Sequence, residues 1–583
     1  MTFSLGIQTG HESSAAIFDG TRVIAAVSDE RLSRIKNDGG RLIDLAIDEV
    51  LRQAGKRRSD VARLALLYTF FPEDYFIRET WTKELERRIS RLRKRSGNGN
   101  PKTPRPQMLL SNFIERLEAR GKRFERHFLR GRFLREEGFP AAVPNFYDHH
   151  DTHAIAAAYY SGFRECAVFT MDGVGDRQIC HTSGLWRNGR YERSHATDAV
   201  GASPGAFYGH ITELLGFRVM RHEGKVVGLA AMGDAAPLYK VFRRALRPSA
   251  DGQRLDSEFV GQSQPEGRRY AFLKQAIQGH SRENVSAACQ RVLEDVVLDL
   301  VRKFLAETGQ RRVAVNGGVF ANVKLNQRIA ALPEVDGIFV FPAMSDSGNS
   351  VGAVLLDLMA RDPDALADNP PLKHVYWGPS YDDADIEDAF ANAEVRAERL
   401  EEGELIARAA RAIHDGRIVG WFQGRMEFGP RALGNRSMLA RPTESRINEW
   451  LNKRLDRSEF MPFAPSVLAE RADNIFIGVE KARHTAEFMT ITFDVRPEWR
   501  DRIPAVVHVD GTARPQLVRP ETNRLYHRLI SAYCELSGIP LVLNTSFNVH
   551  EEPIVCAPAE AIRALAERRV DCLAVGNYWA EVR

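Results

Sequence analysis

Two histidines and an aspartate are the first residues of this sequence that could do chemistry together. Residues 148–154 read Asp-His-His-Asp-Thr-His-Ala, so His149 and His153 are four residues apart. On a helix, this spacing places both imidazoles on one face, close enough to share a ligand. Asp172 follows a short apolar run, and a carboxylate at a strand end beside a histidine pair is typical of a metal site. Such a pair alone is also a common accident, so the rest of the chain must decide.

The segments that would position these residues predict a duplicated α/β domain. A buried strand, a polar glycine-rich turn and two more strands are expected within 165–193, and the same cadence occupies 5–27. Helical sequence follows each block, which indicates two copies of one α/β unit. Folds of the actin and sugar-kinase type have this plan, and they bind nucleotide in the cleft between the copies.

Three small-residue segments in this part of the chain favour nucleotide binding. They are 224–233, the end of a predicted strand at 316–318, and the start of an apolar helix at 345–348. Glycine permits close backbone approach, and free amides at a helix start bind phosphate. Each segment alone could be an ordinary turn or cap, and the three together predict a nucleotide site.

Arginines dominate the chemistry of the second half. A proline-rich segment at 362–371 predicts a linker, and a second domain is expected after it. Within twelve residues of that domain lie Arg425, Arg431 and Arg436, spaced by glycines after a predicted strand. Because arginine binds phosphate or carboxylate through paired hydrogen bonds, this spacing predicts an anion clamp. Two further strands ending in polar side chains are expected within 504–514 and 541–548.

Composition sets the broad class. A chain of 583 residues suggests two to four domains. No apolar run approaches the roughly 20 residues of a membrane helix, and the first residues lack the features of a leader. The six cysteines form no CxxC pair, so neither a disulfide framework nor a thiolate zinc site is indicated. We therefore expect a cytoplasmic protein without a membrane partner.

The net charge of +4 is unevenly distributed. The segment of about 70–138 is rich in lysine and arginine and reads as a basic helical insert. Such an insert could attract phosphates or nucleic acid, hold an acceptor, or simply be a solvated helical face. Its apolar face is predicted to comprise Phe113, Leu117, Phe124, Phe128 and Phe133.

Taken together, the motifs resemble the NodU/CmcH-type O-carbamoyltransferases over nearly the whole chain. The most specific motifs are GRMEFGPRALGNRS from Gly424, HVDGTAR from His508 and NTSFN from Asn544, with HHxxHA from His149 and EGKVVGLA from Glu223. The resemblance implies two domains. Residues 1–365 would form an actin-like, nucleotide- and metal-binding domain similar to the tRNA threonylcarbamoyl-transferases. Residues 373–583 would form a YrdC-like α/β domain.

The resemblance also implies the reaction. Carbamoyl phosphate and ATP would give carbamoyl-adenylate in the second domain, and the first would transfer the carbamoyl group to a hydroxyl of a small-molecule acceptor such as an antibiotic or sugar. The expected cofactors are ATP, Mg²⁺ and a divalent metal, with iron implied by the family, although such a ligand set also suits Mn or Zn. The acceptor and the oligomeric state stay open, a homodimer being one option.

The family motifs assign roles residue by residue. His11 would be the general base for the acceptor hydroxyl, and His150 a structural neighbour of the metal. The metal ligands would be His149, His153, Asp172 and Asp346. Nucleotide would contact Lys225, Gly228, Gly317, Gly318 and Asn322. Carbamoyl phosphate and the adenylate would contact Arg425, Arg431, Lys453, Arg457, Arg514, Asn544 and Ser546.

The sequence departs from the family at 452–463, which leaves the roles of Lys453 and Arg457 open. Three rival functions remain. The first is a tRNA threonylcarbamoyl-type modification enzyme with RNA on the basic insert, although nucleic acid is the less favoured partner. The second is an ATP-dependent small-molecule kinase, which would need no carbamoyl phosphate. The third is a non-catalytic binding protein, disfavoured because His11 and the arginine motifs are present.

Overall fold

A five-stranded sheet forms the first layer of the computed structural model, which describes residues 3–69, 71–76, 128–454, 463–549 and 551–581. Its strand order is β3-β2-β1-β4-β5. The strand β1 pairs antiparallel with β2 and parallel with β4. The strands are β1 (Phe3–Gln8), β2 (Ser14–Asp19), β3 (Arg22–Ser28), β4 (Val61–Leu67) and β5 (Val143–Tyr147).

A second five-stranded sheet repeats this plan. Its order is β12-β11-β6-β7-β8, with β6 antiparallel to β7 and parallel to β11. A two-stranded pair, β9 and β10, lies apart from it. The duplication predicted from the sequence is therefore present. The strands are β6 (Glu165–Met171), β7 (Ile179–Arg187), β8 (Arg190–Asp198), β9 (Arg247–Pro248), β10 (Leu255–Asp256), β11 (Arg312–Asn316) and β12 (Gly337–Val340).

Two buried helices join the two sheets. The histidine helix (His149–Tyr160) lies on the second sheet and the aspartate helix (Asn349–Arg361) on the first, and they pack against each other. A Cβ at Gly352 would lie 2.0 Å from the carbonyl oxygen of Thr152, so only glycine permits this approach. The close contact brings the starts of both helices to one place.

The remaining helices of this half are divided between the two sheets, and Asp44–Ala54 packs on the first sheet against β2 and β3. The segment at 224–233, predicted as a glycine-rich loop, is instead largely helical (Glu223–Ala230) and packs on the long helix Arg282–Thr308. The other helices of the described N-terminal half are Glu30–Ser33, Asp44–Ala54, Arg130–Glu136, Pro204–Leu214, Ala236–Ala245, Pro265–Ala276 and Val323–Ala330.

The C-terminal half is also mixed α/β. Its main sheet has the order β13-β23-β22-β14-β15-β21-β16-β20, and a small sheet has the order β17-β18-β19. The strands are β13 (Glu398–Arg399), β14 (Val419–Phe422), β15 (Arg436–Ala440), β16 (Ala464–Leu468), β17 (Phe476–Ile477), β18 (Phe493–Val495), β19 (Thr512–Ala513), β20 (Gln516–Val518), β21 (Leu541–Ser546), β22 (Cys572–Val575) and β23 (Tyr578–Glu581). The helices are Asp383–Asn392, Glu402–His414, Arg446–Arg454, Arg483–Ala486, Pro497–Arg500, Arg524–Ser537 and Pro558–Ala566.

Two expectations about connecting segments change. The strand predicted within 504–514 is mostly a short 3-10 turn and a loop, and only Thr512–Ala513 pairs with a neighbour. The predicted linker at 362–371 has no regular structure, yet Leu366 within it is fully buried. The connection is thus a packed part of the fold. The division of the chain between 365 and 373 stays a prediction.

The described ends of the basic insert form an aromatic cluster. Phe128 and Phe133 pack on Phe71 with ring centroids 6.0 and 5.6 Å away. The predicted apolar face is therefore realised for these two residues, whereas Phe113, Leu117 and Phe124 lie outside the described residues. No helix of the described part of the chain is both long and apolar enough to cross a membrane.

A buried carboxylate fixes the aspartate helix to the first sheet. Asp357 accepts hydrogen bonds from Arg63 at 2.7 Å, Asn145 at 2.9 Å and Tyr147 at 2.8 Å. Burial alone would raise the pKa of this carboxyl. The bonds from Arg63 and the two neutral donors outweigh burial and hold the pKa below its ordinary value.

We expect Asp357→Asn to lower the free energy of unfolding by about 2–4 kcal/mol near neutral pH, because Arg63 would lose its counter-charge. A depressed folded-state pKa stabilises the protein above the unfolded value of about 3.9, and this stabilisation is lost as the pH falls through the folded value. Urea denaturation of both chains at several pH values tests this. If the difference in unfolding free energy between the parent and Asp357→Asn chains does not become smaller below about pH 4, the prediction is wrong.

Candidate metal and transfer site

Four side chains converge between the two sheets. His149 Nε2 lies 3.6 Å from Asp172 Oδ2 and 3.5 Å from Asp346 Oδ1. His153 Nε2 lies 3.4 and 3.5 Å from the same two oxygens. One ligand atom from each of the four residues falls within 4.8 Å of the others. The structure therefore brings together the whole ligand set implied by the family resemblance.

The geometry fits a divalent cation. Ligands about 2.1 Å from a tetrahedral ion are separated by roughly 3.4 Å, which matches the observed spacing. Both ring nitrogens of His149 and Nδ1 of His153 are buried with no hydrogen-bond partner among the described residues. Two carboxylates would balance the charge of one divalent ion. The donors do not decide between iron, manganese and zinc.

The electrostatics of the cluster favour positive charge. Burial opposes charge on His149, but Asp346 and Asp172 outweigh it and raise the pKa of this imidazole to about 10. Burial likewise opposes charge on Asp172, yet His149 and His153 hold the pKa of its carboxyl well below the ordinary range. A site that retains protons this strongly also attracts a metal cation.

Each copy of the duplicated fold contributes the same two positions to this site. The turn between its first two strands carries His11 in one copy and Asp172 in the other. The start of the helix after its fifth strand carries His149 in one copy, and Asp346 lies just before the equivalent helix in the other. The candidate site therefore lies where the two copies meet.

Several polar residues hold the histidine helix in place. The Asp148 carboxylate caps it by accepting from the amides of His150 and Asp151. Asp176 Oδ2 accepts from the His149 amide at 2.7 Å, and Arg193 binds both Asp148 and Asp151. Burial, followed by the charge of Asp148, raises the pKa of Asp176 to about 6. These contacts fix the position of the ligand backbone.

His150 has a structural environment. Its Nε2 lies 2.8 Å from the Ile179 carbonyl and its Nδ1 lies 2.7 Å from Thr170 Oγ1. Because a carbonyl only accepts, Nε2 must carry the proton and Thr170 must donate to Nδ1. Burial, reinforced by His149, lowers the pKa of His150 to about 3. The ring is therefore neutral and fully used by the fold, as the sequence interpretation expected.

Replacing His150 with alanine should lower the free energy of unfolding by about 2–4 kcal/mol, because it removes a buried ring and leaves two polar partners unsatisfied. The metal content of the folded chain should not change. Chemical denaturation and elemental analysis measure the two effects. Loss of metal from a stably folded His150→Ala chain would show instead that this residue is a ligand.

His11 and a glycine pair border the cluster. His11 Nδ1 lies 3.7 Å from Asp346 Oδ2, and about a third of the His11 side chain is exposed. The amide of Gly318 donates to Asp172 Oδ2 at 3.2 Å, which places Gly317 and Gly318 at the end of β11 beside the metal ligands. An exposed imidazole at the edge of a metal site can reach a bound acceptor.

The other predicted nucleotide residues are distributed differently. Lys225 and Gly228 lie on the helix Glu223–Ala230, where the Lys225 side chain is buried. The Asn322 amide caps the next helix by accepting from the Leu325 amide and exchanges hydrogen bonds with Gln290. Its side chain thus serves internal hydrogen bonds, and the interpretation of Asn322 as a nucleotide contact stays a prediction.

Two of the three arginines of the predicted anion clamp bind backbone carbonyl oxygens. Arg425 donates to the Ile24 carbonyl at 2.9 Å, to the Gly378 carbonyl at 3.2 Å and to Gln53 Oε1 at 2.6 Å. Arg436 is fully buried and donates to the carbonyls of Gln423, Gly424, Asn435 and Pro379. Burial lowers the pKa of both guanidinium groups. Arg425 joins the two halves of the chain, and Arg436 holds its own loop.

Arg431 remains at the tip of this loop, half-buried. The Asn544 amide donates to the Ala432 carbonyl at 3.2 Å, and Gln516 donates to the Leu433 carbonyl at 2.7 Å. Gln516 follows Arg514 by two residues, and Ser546 pairs with Ser437 across the sheet. The structure therefore groups Arg431, Arg514, Asn544 and Ser546 around one loop.

Lys453 and Arg457 are the two residues of the C-terminal half whose roles the sequence leaves open. Lys453 is exposed near the end of the helix Arg446–Arg454, whose last residue pairs with Asp571 at 2.8 Å. Arg457 lies outside the described residues. Neither role is resolved by the fold.

The arginine loop also touches the segment that carries Asp346. Gly429 has a φ of +121°, and a Cβ built on it would lie 3.2 Å from the Pro342 carbonyl oxygen and 3.5 Å from the Ala343 Cα. Arg31, from the N-terminal half, donates to the Gly429 carbonyl at 3.0 Å. The loop of the C-terminal half thus packs against the segment that leads to Asp346.

Sequence reasoning missed three residues at these sites. Asp176 supports the His149 amide, and Asn349 approaches His153 Nε2 at 3.2 Å. Glu427 binds three backbone amides of the arginine loop. Glu427 lies within the GRMEFGPRALGNRS motif, and Asp176 and Asn349 lie a few residues after Asp172 and Asp346. The sequence offers no signal that separates a supporting carboxylate or amide from a ligand.

Comparison with known proteins identifies the class. A family model described as "Carbamoyltransferase N-terminus" matches residues 4–355, and one described as "Carbamoyltransferase C-terminus" matches residues 410–581. The chain therefore belongs to the carbamoyltransferase family. It is a carbamoyltransferase enzyme, and the resemblance drawn from its motifs is confirmed.

Its relatives span most of the chain. The nodulation protein NolNO of Sinorhizobium fredii is 33% identical over 588 residues, which cover 98% of this chain and 79% of that protein. The protein MJ1058 of Methanocaldococcus jannaschii is 34% identical over 455 residues, covering 74% of this chain and 73% of that protein. The crystal structure of full-length HypF in its phosphate- and nucleotide-bound form covers 62% of this chain and 47% of HypF at 11% identity, but its TM-score of 0.32 supports no conclusion.

Proposed function

We propose that this carbamoyltransferase is ATP-dependent and works through two sites in one chain. The C-terminal half, a YrdC-like domain in this proposal, forms carbamoyl-adenylate from carbamoyl phosphate and ATP. The cleft between the two copies of the N-terminal fold then transfers the carbamoyl group to a hydroxyl of a small natural-product or sugar acceptor. The observation that carries the proposal is the position of His11, 3.7 Å from Asp346 at the edge of the His149–His153 cluster.

The first step consumes water, carbamoyl phosphate and ATP. Water cleaves carbamoyl phosphate to carbamate and inorganic phosphate. The carbamate oxygen then attacks the α-phosphorus of ATP, giving carbamoyl-adenylate and pyrophosphate. In the second step the acceptor oxygen attacks the carbamoyl carbon, its proton leaves, and AMP departs with the electrons of the broken C–O bond.

The metal cluster serves the second step. His149, His153, Asp172 and Asp346 would hold the ion, and their ring nitrogens and carboxylates match what a divalent metal needs. When bound, the ion supplies positive charge that can fix a phosphate or polarise a carbonyl. Asp176 and Asp148 keep the ligand helix in register through the His149, His150 and Asp151 amides.

His11 serves the acceptor. Its imidazole is partly exposed, whereas Asp346 beside it is buried, so an acceptor hydroxyl can reach the ring from the cleft. A neutral imidazole can accept the hydroxyl proton as the new C–O bond forms. Asp346 then lies close enough to stabilise the resulting imidazolium.

The arginine loop serves the first step. Carbamoyl phosphate is an anion, and its activation requires fixed positive charge in a site that excludes water. Arg431 and Arg514 would supply this charge, while Asn544 supports the loop through the Ala432 carbonyl. Ser546, whose hydroxyl donates to Asn548 Oδ1, lies at the end of β21. Because Gly429 packs against Pro342 and Ala343, the loop lies next to the segment that leads to Asp346, and the adenylate would have a short distance to travel.

Pyrophosphate release tests the proposal. Purified chain mixed with ATP, Mg²⁺ and carbamoyl phosphate should release pyrophosphate and phosphate in equal amounts. Omitting carbamoyl phosphate should stop the release. Pyrophosphate formation indifferent to carbamoyl phosphate, or ADP as the only nucleotide product, would overturn the proposal in favour of a kinase.

We expect His11→Ala to separate the two steps. Initial pyrophosphate release should stay within about threefold of the parent chain, while carbamoyl transfer should fall by roughly 10²–10⁴-fold, the range for removing a general base. Product mass spectrometry with a hydroxyl acceptor panel measures the transfer. Equal loss of both activities would remove His11 from this role, and His195→Ala, on the exposed strand β8, is the control.

A further inference from the structure

A buried carboxylate lies beneath the loop that carries Arg431. Glu427 is 3% exposed, and its Oε1 accepts from the amides of Leu433, Asn435 and Arg436 at 2.6, 3.3 and 3.2 Å. A single oxygen thus gathers three N–H groups from the far end of the loop. A negative charge beneath the loop would weaken anion binding unless hydrogen-bond donors offset it.

A buried arginine binds backbone carbonyls at the start of the same loop. Arg436 Nη1 donates to the Gln423 carbonyl at 2.7 Å and to the Gly424 carbonyl at 3.2 Å. Its guanidinium also stacks on Phe422, 3.6 Å from the ring centroid. The carboxylate therefore binds the amides of the last residues of the loop, and the guanidinium binds the carbonyls of the first.

The two charges compensate one another without a direct ion pair. Glu427 Oε1 binds backbone amides and Arg436 Nη1 binds backbone carbonyls, so each charge is stabilised by backbone dipoles of opposite sign. The loop between them is drawn into one conformation from both ends. Gln516 and Tyr376 add hydrogen bonds of 2.7 and 2.8 Å to the Leu433 carbonyl.

The proposed site for carbamoyl phosphate is the tip of this loop. Gly429, Pro430 and Arg431 lie between the two anchored ends, and Gly429 is seated against Ala343. Because an anion site gains affinity when its donors are held before the ligand arrives, the anchoring of the ends bears directly on Arg431.

We propose that Glu427 and Arg436 are positioning residues that hold the Arg431 loop ready for carbamoyl phosphate. Neither is expected to touch the substrate. This inference rests on the proposed function, since it takes the loop to be the site of carbamoyl phosphate activation. It adds that the affinity for this co-substrate depends on a carboxylate buried under a cationic loop.

The test compares three variants of the full chain in the pyrophosphate assay. Glu427→Ala removes the acceptor, and Glu427→Gln keeps its shape and one acceptor oxygen but not its charge. The matched control is Glu487→Ala, which removes another buried carboxylate of the same half, paired with Arg519 at 3.2 Å. The readouts are the KM for carbamoyl phosphate, the KM for ATP and the melting temperature.

We expect Glu427→Ala to raise the KM for carbamoyl phosphate by roughly 30–100-fold, with the KM for ATP within about threefold. Glu427→Gln should raise it by about 3–10-fold while melting within about 2 °C of the parent, because neutral hydrogen bonds are roughly half as strong as charge-assisted ones. Glu487→Ala should leave both KM values unchanged.

The outcomes separate cleanly. An unchanged KM for carbamoyl phosphate in both Glu427 variants overturns the inference, as does an equal rise in Glu487→Ala. If Glu427→Ala does not fold, Glu427→Gln decides alone, and parental KM values overturn the inference. If the parent chain shows no dependence on carbamoyl phosphate, the proposed function itself has failed and the inference falls with it.

Discussion

Replacing Arg431 with alanine is expected to lower carbamoyl-phosphate-dependent pyrophosphate release by roughly 10²–10³-fold, the usual effect of removing one preorganised donor from a developing negative charge. Within this motif Arg425 and Arg436 bind backbone carbonyls, and Arg431 is the arginine proposed to bind carbamoyl phosphate. It lies in a loop anchored by Glu427 and Arg436, beside the strand that carries Asn544 and the strand that begins two residues after Arg514.

Arg425 provides the matched control from the same motif. Its guanidinium binds the carbonyls of Ile24 and Gly378 and so connects the two halves of the chain. Arg425→Ala should lower the melting temperature while leaving the KM for carbamoyl phosphate within about threefold. The reverse pattern, a large KM effect from Arg425 and none from Arg431, would contradict the assignment of carbamoyl phosphate binding to Arg431.

Loss of the metal is the second large effect. The parent chain, purified without chelators, should hold about one divalent ion per chain, and His153→Ala or Asp346→Asn should hold less than roughly a tenth of that. The expectation follows from four ligand atoms within 4.8 Å and from the buried ring nitrogens that lack hydrogen-bond partners among the described residues.

Elemental analysis measures the content directly and also identifies the ion. His181→Asn is a suitable control, because His181 is a buried histidine on β7 whose Nδ1 contacts Thr197 Oγ1 at 3.1 Å. It should keep its metal. A parent chain without bound metal after loading with Fe²⁺, Mn²⁺ or Zn²⁺, or an Asp346→Asn chain with full occupancy, would contradict the assigned ligand set.

The sequence predicted the parts of this site that depend on local spacing. The four-residue interval between His149 and His153 and the turn at Asp172 follow from helix and strand periodicity alone. The duplication followed from a repeated cadence of strands and turns. Asp346 could be placed only by family resemblance, because nothing local distinguishes its segment from an ordinary helix cap.

The internal contacts of Arg425, Arg436 and Asn322 could not be predicted from the sequence, and the physical reason is the same for all three. An arginine that binds phosphate and one that binds backbone carbonyls need the same donors, so sequence could not separate Arg431 from Arg425 and Arg436. The partners of the latter two lie on segments brought near by tertiary packing. The internal bonds of Asn322 could not be predicted for the same reason, since Gln290 is supplied by a distant helix.

The central claim is that activation and transfer occupy two sites in one chain. Pyrophosphate release by the Asp346→Asn chain tests it most directly. We predict that carbamoyl-phosphate-dependent release continues at an initial rate within about threefold of the parent, while transfer to a hydroxyl acceptor falls by at least roughly 10²-fold. Collapse of pyrophosphate release together with transfer would contradict the account, because it would place both steps at the metal cluster.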